Sequence, residues 1–254
     1  MGLFTQASGN GPGLVLIHGW GLHGGIWDGL VPLLEPHFRV IRVDLPGHGR
    51  SAWSGEVTLD AMVERVVTAV PDAAAWLGWS MGGLVALRAA MLHPDKVNAL
   101  VTVASSPCFV RRPGWQSAML PALLDTFATE LEQDYRRTLD RFLALQVRGS
   151  ANASAVLKNL RTTLLSHGVP QAAGLRAGLE VLRNTDLRSE LNTIHCPILM
   201  LMGERDTLVP VGVSEDLRRY CPEAMIEVVA NAGHAPFIAA PEKVALKVTE
   251  FLAE

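Results

Sequence analysis

Short apolar runs bounded by turn residues recur along the chain, at 14–18, 40–44, 73–79, 99–104, 197–202 and 225–230. They are rich in Val, Ile and Leu, which predicts strands buried on both faces. Helical patterns lie between several of them. The stretch 59–70 follows Thr58, whose hydroxyl suits an N-cap, and 81–93 stops just before Pro94, as helices do. The stretch 241–252 begins at Pro241, where the missing N–H leaves no bond unmade. Strands alternating with helices predict an α/β fold, with a mostly parallel sheet flanked by helices on both sides.

The alternation breaks between 108 and 183. There the pattern is helical throughout, at 118–131, 133–147, 154–165 and 171–182, punctuated by Gly149, Gly168 and Pro170. Strand-type runs resume only at 197. This predicts an inserted helical cap, residues 108–183, on a core built from 1–107 and 184–254, the whole forming one domain.

Charge sharpens that picture. The net charge of −3 gives no reason to expect a nucleic-acid partner, but its distribution is uneven. The segment 108–183 holds ten Lys+Arg against six Asp+Glu, while the rest holds twelve against nineteen. A basic cap on an acidic protein can steer an anionic partner, and a solvated helix surface is the plainer alternative. Apolar residues make up 49% of the 254, enough for a large core and far from a disordered composition. Cys108, Cys196 and Cys221 are widely spaced without a CxxC pair, which argues against a zinc site or disulfide framework and fits a reducing cytoplasm. The N-terminus lacks the pattern of a signal peptide, and no apolar run of about 18 residues predicts a membrane span.

Four loops carry candidate chemistry. Gly78-Trp79-Ser80-Met81-Gly82 matches G-x-S-x-G, directly after a strand pattern and directly before a helix pattern. In that context the serine sits on a tight turn with its hydroxyl exposed near a helix N-terminus, where negative charge is favoured. His18-Gly19-Trp20-Gly21 ends the first strong strand. The Trp20 and Met81 N–H groups are therefore candidates for an oxyanion hole, with His18 holding the loop rather than acting as a base. A serine needs a base oriented by a third group. Asp206 follows the strand at 197–202, with Glu204 as its rival, and His234 follows the last strand; among eight histidines only His234 has both the expected order and the expected place. Asp44, after the strand at 40–44, is read as a turn-holding carboxylate. These residues predict ester hydrolysis through an acyl-enzyme, with no metal or organic cofactor required. A carboxylesterase, a thioesterase and a non-catalytic ligand receptor on the same fold all remain open at this point.

With these motifs in place, the chain resembles the α/β-hydrolase superfamily. Within it, the chain is similar to the pimeloyl-[acyl-carrier protein] methyl ester esterases of biotin synthesis. The resemblance runs through LIHGWGL at 16–22, the stretch 43–51, WLGWSMGGLV at 76–85, ALVTVASSPCF at 99–109, RFLALQ at 141–146 and AGHAPFI at 232–238. It implies a carrier-linked methyl ester as substrate and acyl-carrier protein as partner, held by basic residues of the cap. Arg137 and Arg141 fall on such positions, as does Lys158. A fourth arginine position of the family is Ser154 here, a departure for which Arg161 offers a substitute charge. The resemblance also implies that Phe142 lines the acyl channel and that Trp20 stands at the catalytic mouth. A monomer is the expected state.

Overall fold

The computed structural model describes residues 2–53, 58–167 and 170–253, so Gly168 of the expected cap punctuation lies outside the described residues. In chain order the elements are β1 (Thr5–Ser8), β2 (Gly13–Ile17), α1 (Val31–Leu34), β3 (Arg39–Val43), α2 (Leu59–Ala69), β4 (Ala74–Trp79), α3 (Met81–Leu92) and β5 (Val97–Val103). Four helices follow: α4 (Pro121–Gln133), α5 (Tyr135–Gln146), α6 (Ala153–Ser166) and α7 (Ala172–Asn184). The chain then returns to the sheet with β6 (Ile198–Gly203), α8 (Val213–Tyr220), β7 (Met225–Val229), α9 (Pro236–Ala239) and α10 (Pro241–Ala253).

All six apolar runs are strands, each within two residues of the expected bounds at either end. The seventh strand, β1, carries the sequence TQAS and is largely exposed, so it has no apolar run to announce it. It pairs antiparallel with β3 at the sheet edge, while every other pairing is parallel. The helix expected from 133 begins instead at Tyr135, because Asp134 caps it. The Asp134 carboxylate accepts the N–H groups of Arg136 and Arg137, both at 3.1 Å.

Side chains along β2 to β6 alternate between two apolar layers, whereas β7, expected to be buried on both faces, lies at the sheet edge with only Val229 buried. Val15, Ile17, Trp76, Leu100 and Met200 pack with α2 and α3 on one face. Leu14, Leu16, Leu77, Val101 and Leu199 pack with α1 and α10 on the other. Each fully buried Leu or Val contributes roughly 1.5–3 kcal/mol. That two-sided burial is why these strands read as continuous apolar runs.

The strand order is β1-β3-β2-β4-β5-β6-β7. The chain moves outward from β2 to β3 and then returns to β4 on the other side of β2. This reversal leaves a crevice at the carboxyl ends of β2 and β4, where ligands gather in open α/β sheets.

A buried polar knot ties the loops leaving β2 and β3. His18 donates from Nδ1 to the Gly19 carbonyl at 2.7 Å, and its Nε2 accepts the Leu45 N–H at 2.9 Å. Asp44 accepts the Gly24 N–H at 2.7 Å and the Arg50 N–H and Nε at 3.0 and 2.9 Å. His48 packs beside His18 with ring centroids 5.4 Å apart. Burial lowers His18 from an ordinary 6.5 to about 3, helped by the neighbouring His48, and burial lowers His48 to about 4. Both rings are therefore neutral in the native state at neutral pH. Burial alone would raise Asp44, but the hydrogen bonds it accepts from Arg50 and the backbone outweigh that and hold it at about 2.

An unfolded chain takes up protons on these histidines below about pH 6.5, while the folded chain resists until about pH 4 and 3. Stability is thus expected to fall steadily from pH 6.5 towards pH 4. Thermal denaturation across that range measures it, and a midpoint unchanged between pH 7 and 4.5 would contradict neutral burial of the two rings.

Candidate active site

The nucleophile turn is built by close backbone approach. Ser80 adopts φ 54°, ψ −119°, a conformation that residues other than glycine rarely adopt. Its strain, of order 1–3 kcal/mol, is held by surrounding structure. The Ser80 N–H donates to the Val103 carbonyl at 2.9 Å, and the Ser80 carbonyl accepts from Gly83 N–H at 2.9 Å and Ser105 Oγ at 2.7 Å. A Cβ on Gly78 would stand 2.2 Å from the Gly82 carbonyl oxygen, and one on Gly82 would stand 2.3 Å from that of Ile17. These distances explain why both flanking positions of the motif are glycine. Trp79, between Gly78 and Ser80, points into the opposite layer and donates from its indole to the His234 carbonyl at 2.7 Å.

Asp206 and His234 reach the serine from the ends of β6 and β7. His234 Nε2 lies 2.8 Å from Ser80 Oγ, and Nδ1 lies 2.7 Å from Asp206 Oδ2. With the neutral ring protonated on Nδ1, it donates to Asp206 and accepts the serine proton. The other carboxylate oxygen of Asp206 accepts the N–H groups of Leu208 and Val209 at 2.8 and 2.9 Å, which fixes its plane. All three residues are buried, with Ser80 at 4%, Asp206 at 5% and His234 at 1% exposure. Glu204, the rival acid, is exposed and braces the neighbouring loop, where it accepts the Asn231 N–H at 2.7 Å. The structure thus brings Ser80, Asp206 and His234 together and leaves Glu204 and Asp44 outside the cluster.

The loop after β2 lies against the serine. A Cβ on Gly19 would stand 3.2 Å from Ser80 Cβ. Met81 is the first residue of α3, so its N–H has no acceptor within the helix. The Trp20 N–H likewise stays out of the turn's backbone bond, which runs from Leu22 to Gly19. Neither amide has a backbone acceptor among the described residues. The Trp20 ring meets Phe142 of α5 edge to face, with centroids 4.7 Å apart, and its indole donates to the Leu175 carbonyl of α7 at 2.7 Å. Gly178 of α7 leaves room for that ring: a Cβ there would fall 2.4 Å from Trp20 Cδ1 and 3.0 Å from Met81 Sδ. Trp20, Met81, Phe142, Phe127 and Leu179 belong to one continuous apolar layer to which the sheet and α4, α5 and α7 contribute buried residues.

Residues 12–241 match the family model described as alpha/beta hydrolase fold. A pimeloyl-[acyl-carrier protein] methyl ester esterase of Nitrosomonas europaea is 43% identical over 241 residues, 95% of this chain and 96% of that protein. The protein of the same name from Methylococcus capsulatus is 44% identical over 253 residues, 100% of this chain and 99% of that one. The chain belongs to this esterase family of the α/β-hydrolase fold. Among solved structures, an esterase from Exiguobacterium antarcticum superposes with a TM-score of 0.89 at 22% identity, covering 99% of this chain and 96% of that one, a likeness of fold.

Arg137 and Arg141 are exposed on α5 and line one groove with Glu130, Gln133, Asp134 and Thr138. Lys158 and Arg161 are exposed on α6 and line another with Ser154, Leu157, Thr162 and Leu165. Two of the four cations already have partners within the chain. Arg141 pairs with Glu130, and Arg161 makes two bonds to Asp140, at 2.6 and 2.8 Å, that tie α6 to α5. Arg137 and Lys158 have no ion-pair partner among the described residues.

Several groups outside the triad shape the site. Ser105, the Trp79 indole, the Gln146 carbonyl and Ser150 all bind the turns that carry the triad, and each lies far in sequence from what it holds.

Ser80→Ala removes the hydroxyl without disturbing the elbow. It is expected to lower turnover of a p-nitrophenyl ester by about four to six orders of magnitude while leaving the denaturation midpoint unchanged. Turnover near wild type in a pure preparation would remove Ser80 as the nucleophile.

Proposed function

We propose that this chain hydrolyses the methyl ester of pimeloyl-acyl-carrier protein, giving methanol and pimeloyl-acyl-carrier protein in biotin synthesis, as a cytoplasmic monomer. The observation that carries the hydrolytic half of this reading is the unbroken relay from Ser80 Oγ through His234 to Asp206, buried beneath apolar helices. The substrate is supported by relatives at 43–44% identity over nearly the whole chain whose name states that reaction.

The steps follow from the geometry. Ser80 Oγ attacks the ester carbonyl as His234 Nε2 takes its proton. Asp206, held by two backbone N–H groups, keeps the ring oriented and stabilises its charged form. The N–H groups of Trp20 and Met81 bind the oxyanion, each worth about 2.7–4 kcal/mol by comparison with similar donors. The tetrahedral species collapses, the bond to the methoxy oxygen breaks, and His234 hands the proton to departing methanol. Water then enters, His234 takes one of its protons, and the acyl–serine bond is cleaved in the same way. No step requires a metal or an organic cofactor.

Phe142 and Trp20 form the wall along which the pimeloyl chain lies. The segment 108–183, which carries the four helices, acts as the cap. Arg137, Arg141, Lys158 and Arg161 present its positive charge to the acidic carrier. Because Arg141 and Arg161 are already paired with Glu130 and Asp140, the two unpaired cations dominate attraction of the carrier.

Arg137→Glu and Lys158→Glu are each expected to raise KM for the carrier-linked methyl ester about tenfold at low salt. Both should leave kcat/KM for p-nitrophenyl butyrate within about twofold, since a surface charge exchange stays clear of the buried relay. Equal losses on both substrates would argue against docking on this face. Restored growth of a biotin-requiring strain lacking its esterase tests the substrate directly. Failure there, with p-nitrophenyl esterase activity intact, would favour a general short-chain carboxylesterase.

A further inference from the structure

The turn between α5 and α6 lies far in sequence from both loops that complete the triad, yet it is bonded to each of them. On the base side, the His234 N–H donates to the Gln146 carbonyl at 2.9 Å, and the preceding Gly233 N–H donates to Ser150 Oγ at 2.8 Å. The Ala151 N–H donates to the Asn231 carbonyl at 3.2 Å. On the acid side, Arg205, next to Asp206, donates from Nη1 to the Gly149 carbonyl at 3.2 Å and from Nη2 to Asn231 Oδ1 at 2.5 Å.

The fit is as close as the bonding. A Cβ on Gly233 would fall 2.6 Å from Ser150 Oγ and 2.9 Å from the Gln146 carbonyl oxygen. Gly149 takes φ +83° with its backbone against Arg205, where a Cβ would meet Arg205 Cβ at 3.1 Å. Asn231 itself sits at φ 61°, a left-handed conformation that asparagine tolerates better than most residues. The base loop is thus a short bent segment whose successive N–H groups are taken up by the α5–α6 turn.

Within this set Ser150 is the one side chain whose own atom binds the base loop from the α5–α6 turn. The Gln146 and Gly149 contacts come from backbone carbonyls. Trp79 approaches from the opposite direction, donating to the His234 carbonyl. The backbone of His234 is therefore held from two sides, by the sheet through Trp79 and by the α5–α6 turn through Gln146 and Ser150.

We infer that Ser150 is a positioning residue for the reaction: its hydroxyl, by accepting the Gly233 N–H, sets the backbone from which His234 reaches both Ser80 and Asp206. The helical insertion is then part of the catalytic scaffold as well as a lid. This rests on Ser80, Asp206 and His234 being the reacting groups. Misplacement by about 1 Å at the reacting atoms is enough to lower rates by about 100-fold, and loss of one of several anchors on the loop gives a smaller shift.

The test is steady-state hydrolysis of p-nitrophenyl butyrate by wild type, Ser150→Ala, Ser150→Thr and Ser80→Ala, with denaturation midpoints for all four. Ser150→Ala is expected to lower kcat about tenfold with KM within about twofold, and Ser150→Thr, which keeps the acceptor oxygen, to recover most of the loss. Fluorophosphonate labelling of Ser80 should slow in parallel with kcat in Ser150→Ala. Unchanged kcat in Ser150→Ala would overturn the inference. So would a loss in Ser150→Ala that Ser150→Thr does not restore, or one that tracks a lowered midpoint. Full turnover by Ser80→Ala would instead overturn the triad reading on which it rests, so the two failures are distinguishable.

Discussion

Ser80 is held with positive φ between a buried strand and a buried helix, and the rest of the structure is arranged around that bend. The turn from β4 into α3 is so tight that the chain passes within van der Waals contact of itself and of the β2 backbone, which excludes any side chain at Gly78 or Gly82. A bend of this kind is not stable alone. It persists because β5 supplies the Val103 carbonyl and the segment after it the Ser105 hydroxyl, and because α3 starts at once and packs its apolar length against the sheet. As a result the hydroxyl stands at a helix N-terminus, within reach of a base, with an unclaimed N–H beside it.

Sheet order determines what can meet that hydroxyl. Reversal of the chain between β2 and β4 places the Trp20 loop on one side of Ser80, and continued parallel addition of β6 and β7 brings Asp206 and His234 to the other. Each residue sits just beyond a strand end. The strands are fixed by two apolar layers, and only the short loops remain to be held. Different devices hold them. The neutral histidines and Asp44 knot the Trp20 loop, two backbone N–H groups hold Asp206, and the indole of Trp79 with the α5–α6 turn holds His234. A rigid relay follows from many modest interactions converging on a few turns.

The helical insertion contributes to both ends of the chemistry. α7 receives the Trp20 indole at the Leu175 carbonyl and seats Trp20 over Gly178, while α5 provides Phe142 and, at its end, the carbonyl that takes the His234 N–H. The same α5 carries Arg137 and Arg141 on its exposed face. Its amphipathic character therefore serves two purposes, an apolar face that closes the site and a charged face turned to solvent.

Much of this was legible in the linear chain. Six apolar runs marked six strands, and β2 to β6 are largely apolar because both their faces are buried, whereas the edge strand β7 carries Glu227 and buries only Val229. G-x-S-x-G with a strand before it and a helix after it marked Ser80, and chain order then singled out Asp206 and His234. Several elements stayed hidden for local reasons, among them the four-residue helices α1 and α9. β1 has exposed side chains and is held by edge pairing alone, and α8 carries few buried residues. Other features were hidden because they join distant segments. Nothing near residue 150 in sequence says that its hydroxyl meets Gly233, and nothing near Arg141 or Arg161 says that Glu130 and Asp140 already pair with them. The sequence by itself determined which segments form strands and helices and which residue types stand at the strand ends, since periodicity and turn chemistry are local. Tertiary structure alone decided which backbone groups hold the catalytic loops and which surface charges stay unpaired, because those depend on atoms that only folding brings within hydrogen-bonding distance.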